Sequence, residues 1–533
     1  MSENARGRAG GGAALVAAGI LVSRLFGLVR NRLLGHFLGT GEAADAFAAA
    51  IRIPNVLQNL FGEGVLSASF IPVYARLVAE GDEAEAGRVA GAVGALLGLV
   101  SAVLVLLGIL LAPMAIPLIA PGFSGEKREL TILLVQVLFP GVGLLVLSAW
   151  ALGVLNSHRR FFLSYASPVA MNLVMIAALL WLGPASSGTM PGEAHLATML
   201  AWASVIGSAL QFAVQLPTVW RVERRLRFDL DVRRAPVRTV MTNFIPVFAG
   251  RGVVQISAYV DGLIASLVSA GAVAVLGYAQ VIAVLPVSLF GMSVSAAELP
   301  AMSGERGSED AVAAALRRRL RDGLRRIAFY VVPSAALFLA LGDVVGATLY
   351  ETGQFTRRDV VWLWGVLAGS AVGLLAGTLG RLYASTWYAL RNTRTPLVYA
   401  LARVTLGLAL GLIAALWLPA RLGLDAKWGV AGLTAASGIA AWLEFALLRR
   451  SIERRIGAAS VELRYVAVLW LCALGAAMPA WGVKLALGVG RPVVLGVAAL
   501  ALYGATYLIL TAAVGVPESG EVRARLARLT GRR

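Results

Sequence analysis

The sequence predicts an all-α polytopic membrane protein with about 14 transmembrane helices. The first observation is composition: 59% of the 533 residues are hydrophobic and only 14% are charged, whereas soluble domains carry about a quarter charged residues. The second is that apolar runs of about 20 residues recur from end to end, each long enough to cross the ~30 Å hydrocarbon core. The third is that Lys and Arg residues concentrate in alternate connecting segments.

Fourteen apolar spans can be placed in order along the chain. They cover 13–37, 44–74, 90–119, 130–155, 162–183, 197–220, 239–268, 272–302, 327–350, 360–388, 396–419, 428–448, 465–487 and 492–515. The domains that we expect are a cytoplasmic tail (1–12), an N-terminal lobe (13–220), a basic amphipathic segment (221–238), a C-terminal lobe (239–448), two further helices (449–515) and a basic tail (516–533).

The net charge of +18 follows membrane topology. With the N-terminus inside, 32 of the 47 Lys and Arg residues lie on the cytoplasmic side and eight on the other, so the positive-inside rule places both termini in the cytoplasm. The basic segments 221–234 and 317–326 are topology signals near anionic headgroups, and the first has the pattern of a helix lying on the membrane surface. Neither interleaves aromatic residues that stack on bases, so nucleic acid is not an expected partner.

A short internal repeat predicts that the two lobes are related. The stretch LFGEGVLSASFIP (60–72) aligns with LFGMSVSAAELP (289–300), and each lies after a proline in the second span of its lobe. The offset of six spans predicts two pseudo-symmetric six-helix lobes, with two helices left over. Duplicated halves around a midplane site are the usual construction of secondary transporters.

Arginines within the spans indicate where function lies, because an arginine at a helix centre costs about 2.5–3.5 kcal/mol to insert. Three of them, Arg32, Arg381 and Arg403, are near span ends, where the side chain is expected to reach the interface. The deeper ones are expected to line a water-filled cavity that suits an anionic, phosphate-bearing substrate; they are Arg24, Arg30, Arg52 and Arg251.

The second span carries one polar face. Asp45, Arg52, Asn59 and Glu63 fall within about 40° of one another at 100° per residue. Pro54 removes a backbone hydrogen bond and is expected to bend the helix. The face predicts a bent, cavity-lining helix, with a purely structural network of charges as the alternative.

Enzymatic functions find little support in the sequence. The three histidines, His36, His158 and His195, have no metal-ligand spacing, and no Walker A motif is present. The DLD motif at 229–231 has no partner carboxylates, which disfavours a glycosyltransferase. Because the sequence has no ATP-binding motif, we expect transport to be driven by membrane potential or an ion gradient.

Four stretches resemble the MurJ/MviN family of lipid II flippases, within the multidrug/oligosaccharidyl-lipid/polysaccharide exporter superfamily. They are SRLFGLVRN (23–31), ADAFAAAIRIPNVLQNLFGEGVLSASFIPVYARL (44–77), YAQVIAVLPVSLFG (278–291) and LYETGQFTRRD (349–359). The resemblance covers nearly the whole chain. It implies two lobes that alternate access around a cationic cavity, a groove for the undecaprenyl tail in the last two spans, and a bacterial inner-membrane location in cell-wall (peptidoglycan) biosynthesis.

The resemblance also implies the substrate and its site. Lipid II carries a pyrophosphate and peptide carboxylates, which match a positive cavity. We expect a monomer with no cofactor other than Na⁺ as a coupling ion. The predicted substrate-binding residues are Arg24, Arg30, Asp45, Arg52, Asn55, Glu63 and Arg251.

The chain departs from the family pattern at three positions. Asn31 stands where the family usually has Asp, Gln58 where it has a basic residue, and Val281 where it has Arg. Arg251 is the expected replacement for the charge missing at Val281. The alternatives left open are a flippase for another undecaprenyl-linked glycan, a MATE-like drug/cation antiporter and a polyprenyl-phosphate glycosyltransferase.

Some family members hold a sodium ion in the second lobe. The matching positions here are near Asp261 and Asn392, with Thr405 as a further ligand. Oxygen ligands suit a hard cation. An ion pair of Asp261 with Arg251 is the competing interpretation.

Overall fold

The computed structural model of the chain is helical throughout its described part. The structure describes residues 3–61, 63–186, 188–305, 308–487, 491–520, 522 and 524, without the side chains of 3–17, 59, 63–64, 246–247, 249–258, 296, 300 and 487. Within these ranges the only β pairing is an isolated bridge between Thr352 and Phe355. The predicted all-α fold class is confirmed.

The chain divides into two compact units, and the first comprises Met1–Ala274. Its helices are α1 (Glu3–Leu38), α2 (Glu42–Phe61), α3 (Glu63–Ser69), α4 (Ile71–Glu80), α5 (Glu83–Ile119), α6 (Gly125–Ser157), α7 (Phe161–Ala166), α8 (Pro168–Ser186), α9 (Met190–Val222) and α10 (Ala235–Ser266). Helix α10 packs against α2, α3 and α5, so this unit reaches further along the chain than the predicted N-terminal lobe at 13–220.

The second unit comprises Val275–Arg533. Helix α11 (Ala272–Pro286) leads into it, and a π-helix follows at Val287–Met292, which overlaps the start of the second copy of the sequence repeat at 289–300. The remaining helices are α12 (Ser293–Ser303), α13 (Glu309–Tyr350), α14 (Arg357–Ala389), α15 (Arg394–Leu412, extended by a π-helix at Ile413–Trp417), α16 (Leu418–Arg421), a 3₁₀ turn (Ala426–Trp428), α17 (Gly429–Ile456), α18 (Leu463–Leu487) and α19 (Pro492–Ala513).

Each of the fourteen predicted spans is helical. Eleven helical stretches of the described residues are long and apolar enough to cross a membrane. The other three predicted spans are 13–37 (α1), 44–74 (α2 to α4) and 239–268 (α10), which are the spans that contain the deeper arginines.

The second predicted span is helical on both sides of position 62 and is interrupted by a turn at Phe70. Helix α2 continues through Pro54 and ends at Phe61, and α3 begins at Glu63. Residues 65, 66, 69, 70 and 74 beyond this point are buried. The segment therefore combines an intact, proline-containing helix with a second part that is packed into the unit.

The prediction of a surface helix at 221–238 is wrong. Helix α9 ends at Val222 and α10 begins at Ala235, and no helix lies between them. The segment instead runs along α5, where the Arg227 N–H donates to the Gly87 carbonyl oxygen at 3.4 Å. A Cβ atom at Gly87 or Gly91 would overlap the backbone of Arg225 or Arg227, so these glycines permit an approach that the charge pattern does not reveal.

Candidate functional site

Arg52 is the central residue of the candidate site. It lies on α2, and the side-chain atoms Nη1 and Nη2 are buried without a hydrogen-bond partner among the residues that the structure describes. The carboxylates of Asp261 and Asp45 interact electrostatically with its guanidinium. A buried arginine with unused N–H groups retains the capacity to bind an anion.

Helix α10 positions this arginine. The Tyr259 hydroxyl donates to the Arg52 carbonyl oxygen at 3.1 Å, which ties α10 to α2. One turn further on, Gly262 leaves room for the guanidinium, because a Cβ atom there would overlap Arg52 Nη1. The Arg52 guanidinium thus lies against Gly262 and interacts electrostatically with the Asp261 carboxylate.

Asp45 lies seven residues before Arg52 and has a different environment. Its side chain is fully buried, and Lys127 Nζ on α6 donates to Oδ2 at 2.5 Å. The backbone N–H groups of Gly271 and Ala274 donate to Oδ2 and Oδ1 at 2.7 and 2.8 Å. Because Ala274 lies in the first turn of α11, Asp45 caps that helix and interacts favourably with its dipole.

The arginines of α1 are arranged less tightly. Arg24 is exposed and Arg30 is half-buried. Arg30 donates from Nε and Nη2 to Asn31 Oδ1 at 3.4 and 3.2 Å, and Nη1 contacts Met175 Sδ on α8 at 3.9 Å. Asn31 is one of the three residues that depart from the family pattern. Its neutral amide oxygen accepts two hydrogen bonds from Arg30, whereas the Asp that the family usually has there would add a negative charge.

The remaining predicted site residues either form no hydrogen bond with this cluster or have side chains outside the described residues. Asn55 is exposed and Gln58 is half-buried. The side chains of Glu63, Asn59 and Arg251 lie outside the described residues. Among the predicted substrate-binding residues, Arg52 and Asp45 form a cluster together with Asp261.

Asn392 and Thr405, two of the three residues named for sodium, have local hydrogen-bond partners and lie apart from each other. The Asn392 Oδ1 atom accepts from the Thr395 N–H and caps the start of α15. The exposed Thr405 hydroxyl donates to the Leu401 carbonyl oxygen of its own helix, thirteen residues after Asn392, which is roughly 20 Å along a helix. The described residues also contain no group of three or more His, Cys, Asp or Glu side chains that could hold a metal ion. Asn392 and Thr405 therefore do not ligate the same cation.

The sequence analysis missed several ion pairs, among them those of Lys127 and Arg403. Lys127 lies between the predicted spans at 90–119 and 130–155 and is one of the eight basic residues assigned to the exterior. Its side chain is instead buried and donates to Asp45, which lies 82 positions away along the chain. Arg403 was expected to reach the interface, but its Nη1 atom pairs with Glu444 Oε2 at 3.1 Å. The second pair had a visible signal, because Glu444 is an acidic residue inside a predicted span.

The fold defines the class of protein. It is similar to the solved structure titled "Lipid II flippase MurJ, inward closed conformation", with a TM-score of 0.76, 23% identity and coverage of 94% of this chain and 98% of that chain. It is also similar to an inward-facing MATE family transporter of the MOP superfamily, with a TM-score of 0.62, 16% identity and coverage of 82% and 96%. The chain is thus a multi-pass membrane protein with the fold of these transporters.

The family follows from the sequence. Residues 34–509 match the family described as "Lipid II flippase MurJ", and the chain belongs to that family. "Probable lipid II flippase MurJ" of Rhizobium tropici is 32% identical over 456 residues, which cover 83% of this chain and 80% of that protein. Relatives from Vibrio cholerae and Burkholderia cenocepacia are each 29% identical, with 82% of both chains covered.

Proposed function

We propose that the protein is a lipid II flippase, a transporter and not an enzyme. It moves the undecaprenyl-pyrophosphate-linked peptidoglycan precursor from the inner to the outer leaflet of the bacterial cytoplasmic membrane. Membership of the family and the names of its relatives support the substrate. The distribution of Lys and Arg supports cytoplasmic termini.

The observation that carries this proposal is the Arg52 guanidinium. Its two Nη atoms are withdrawn from solvent and have no hydrogen-bond partner in the described part of the chain. Keeping an arginine in that state costs free energy, which a ligand with negatively charged oxygens would offset. The planar guanidinium matches a phosphate group through two parallel N–H···O bonds. A pyrophosphate is therefore a suitable ligand.

The neighbouring carboxylates stabilise Arg52 when no substrate is bound. Asp261 and Asp45 partly balance the charge of Arg52, so that the arginine can remain buried between transport cycles. An arriving pyrophosphate competes with Asp261 for the guanidinium, and release restores the original interaction. We propose that alternating access of the two lobes carries the headgroup across, driven by membrane potential or an ion gradient. We propose a monomer that binds no nucleic acid, and no residues are assigned to Na⁺.

Complementation of a bacterium depleted of its own lipid II flippase tests this function. We expect the wild-type chain to restore growth and to clear accumulated lipid II, and we expect Arg52→Ala to do neither. Arg76→Ala is the matched control, since Arg76 is an exposed arginine whose one ion pair among the described residues is with Glu80, one turn away. If Arg52→Ala complements as well as Arg76→Ala does, the site is wrongly assigned.

A flippase for another undecaprenyl-linked glycan is the second candidate. Asn31 and Gln58 replace residues that are usually charged in the family, and Arg30 donates to the neutral Asn31 amide. These changes leave the pyrophosphate contact of Arg52 intact but alter the charge available to the rest of the headgroup. If the well-expressed wild type fails to clear lipid II, while a host lacking another polyprenyl-linked glycan flippase is rescued, this candidate is correct.

A further inference from the structure

A cavity with a volume of about 740 Å³ lies at one end of the second unit. Helix α13, the segment between α17 and α18, and the segment after α19 form its walls. Five arginines and two carboxylates, Asp322 and Glu518, line it, which leaves an excess of three positive charges. We call this cavity the arginine groove, and its five arginines are Arg317, Arg318, Arg321, Arg325 and Arg326.

Residues from other parts of the chain position the arginines of α13 in the groove. Arg325 Nε pairs with Glu518 Oε1 at 3.1 Å, and the guanidinium stacks over the Tyr465 ring at 4.4 Å. Gly457, which has a φ of 87°, allows Arg317 to lie across the backbone, because a Cβ atom there would overlap Arg317 Nη1. Three separate parts of the chain therefore converge on one cluster of arginines.

The outer part of the groove has unused positive charge. Among the residues that the structure describes, Arg317 and Arg318 form no ion pair or side-chain hydrogen bond. Arg321 pairs with Glu462 at 2.9 Å, but both side chains are more than half exposed, and such surface pairs contribute little. Arg317 and Arg321 are four residues apart and therefore neighbours on one face of α13. Together these arginines can hold a group that carries two negative charges.

The location of the groove favours a lipid over a soluble anion. Leu463, the first residue of α18, is 84% exposed, and Val514, which follows α19, is 59% exposed. Leu463 directly follows Glu462, the partner of Arg321, and Val514 is three residues before Pro517, which lines the groove. The positive-inside rule assigns this end to the cytoplasmic leaflet, where basic pockets between helices bind anionic headgroups.

We propose that the arginine groove binds the headgroup of an anionic lipid that carries a phosphate dianion or two phosphates. The headgroup lies against Arg317, Arg318 and Arg321, and the acyl chains lie on the apolar surface of α18 and α19. This site is separate from Arg52 and does not depend on the proposed substrate. A bound lipid would join α13, α18 and the segment that contains Glu518 at the membrane surface.

Binding of phosphatidic acid to purified protein tests the proposal. Native mass spectrometry or a fluorescent-lipid titration in neutral detergent would compare phosphatidic acid with phosphatidylcholine. We expect the triple variant Arg317→Gln/Arg318→Gln/Arg321→Gln to bind phosphatidic acid roughly 100-fold more weakly than the wild type, from the contribution of three basic residues at a surface. Phosphatidylcholine should bind weakly to both proteins.

The matched control removes the same charge elsewhere. Arg224, Arg233 and Arg238 are exposed arginines in or next to the segment between α9 and α10, and Arg224→Gln/Arg233→Gln/Arg238→Gln should stay within about twofold of the wild type. Equal loss in both variants, or no loss in either, would overturn the proposal. Displacement of the lipid by equimolar inorganic pyrophosphate would show a site for soluble anions and would overturn the lipid assignment. If the triple variant unfolds in lipid-free detergent, the single variants Arg317→Gln and Arg318→Gln decide instead, with a loss of about fivefold expected from each.

Discussion

Asp45 and Arg52 lie two turns apart on one face of α2, and both bury a charge, yet their partners differ. Asp45 receives three donors, from Lys127 and from two backbone N–H groups near the start of α11. Arg52 has a nearby carboxylate but no hydrogen bond to either Nη atom in the described part of the chain. The same helix thus carries one charge with a full set of partners and one whose hydrogen-bonding capacity is unused.

The difference separates architecture from binding. A buried charge with a complete set of partners stabilises one arrangement of helices, and removing a partner leaves the other charge stranded. A buried charge with unused donors contributes little to stability and has capacity for a ligand. We therefore expect mutations at Asp45 to change mainly stability and mutations at Arg52 to change mainly transport.

The largest expected effect is that of Asp45→Ala on stability. It leaves the Lys127 ammonium buried and unpaired and removes the cap of α11, so the free energy of unfolding should fall by about 3–5 kcal/mol. The unfolding temperature in detergent measures this. The double variant Asp45→Ala/Lys127→Met should recover most of the loss, and equal destabilisation in the double variant would argue against the pair.

Arg52→Gln should have the opposite profile. We expect transport of lipid II to fall by about 100-fold or more, because a charge-assisted contact to the pyrophosphate is lost. The unfolding temperature should stay unchanged or rise, since an incompletely paired charge is no longer buried. A flipping assay and a thermal melt on the same preparation test both parts. A variant that loses both activity and stability would mean that Arg52 has a structural role.

Gly262→Ala sharpens the comparison without removing a charge. The added methyl group would overlap Arg52 Nη1 and should move the guanidinium, so transport should fall by roughly tenfold, as small displacements in a site commonly do. Gly277→Ala is the control, because a Cβ atom there meets nothing within 4 Å. Equal activity of the two variants would contradict the assigned position of the guanidinium.

The smallest effect is expected at a third polar cluster, which is formed by Tyr74, His158 and Glu223. The buried Tyr74 hydroxyl donates to Glu223 Oε2 at 2.9 Å, and His158 Nε2 lies 2.9 Å from the same hydroxyl, so His158 is the donor to it. Burial lowers the pKa of His158 below its ordinary value of 6.5, and Arg160 adds to this while Glu223 opposes it. Below pH 6.5 the unfolded chain takes up the proton first.

Stability from His158 is therefore fully present above pH 6.5 and is lost as the pH falls through the lowered pKa. The unfolding temperature of the wild type should rise slightly between pH 5 and pH 7. Part of that rise should be missing in His158→Gln. If the unfolding temperature falls over this range in the wild type but not in His158→Gln, the pKa of His158 is raised on folding and the proposed direction is wrong.

The sequence analysis predicted what depends on local pattern. The polar face with Asp45 and Arg52 follows from their spacing of seven residues, and all fourteen helical spans follow from apolar length. Which of the two residues has a full set of hydrogen-bond partners could not be predicted. Lys127 is distant along the chain, and the other two donors to Asp45 are backbone N–H groups, which do not depend on the type of side chain. The surface helix at 221–238 was predicted from charge pattern alone, and tertiary packing against α5 overrides that pattern.

That packing has a consequence for how the contact could be detected in other sequences. The segment between α9 and α10 meets α5 through the backbone of Arg225 and Arg227 at Gly87 and Gly91. Because glycine has no side chain and the arginines contribute only their backbone, this contact contains no pair of side chains that would change together. Methods that infer contacts from correlated substitutions would therefore overlook it. Its record would be two positions on α5 that stay glycine while the arginines opposite them vary freely.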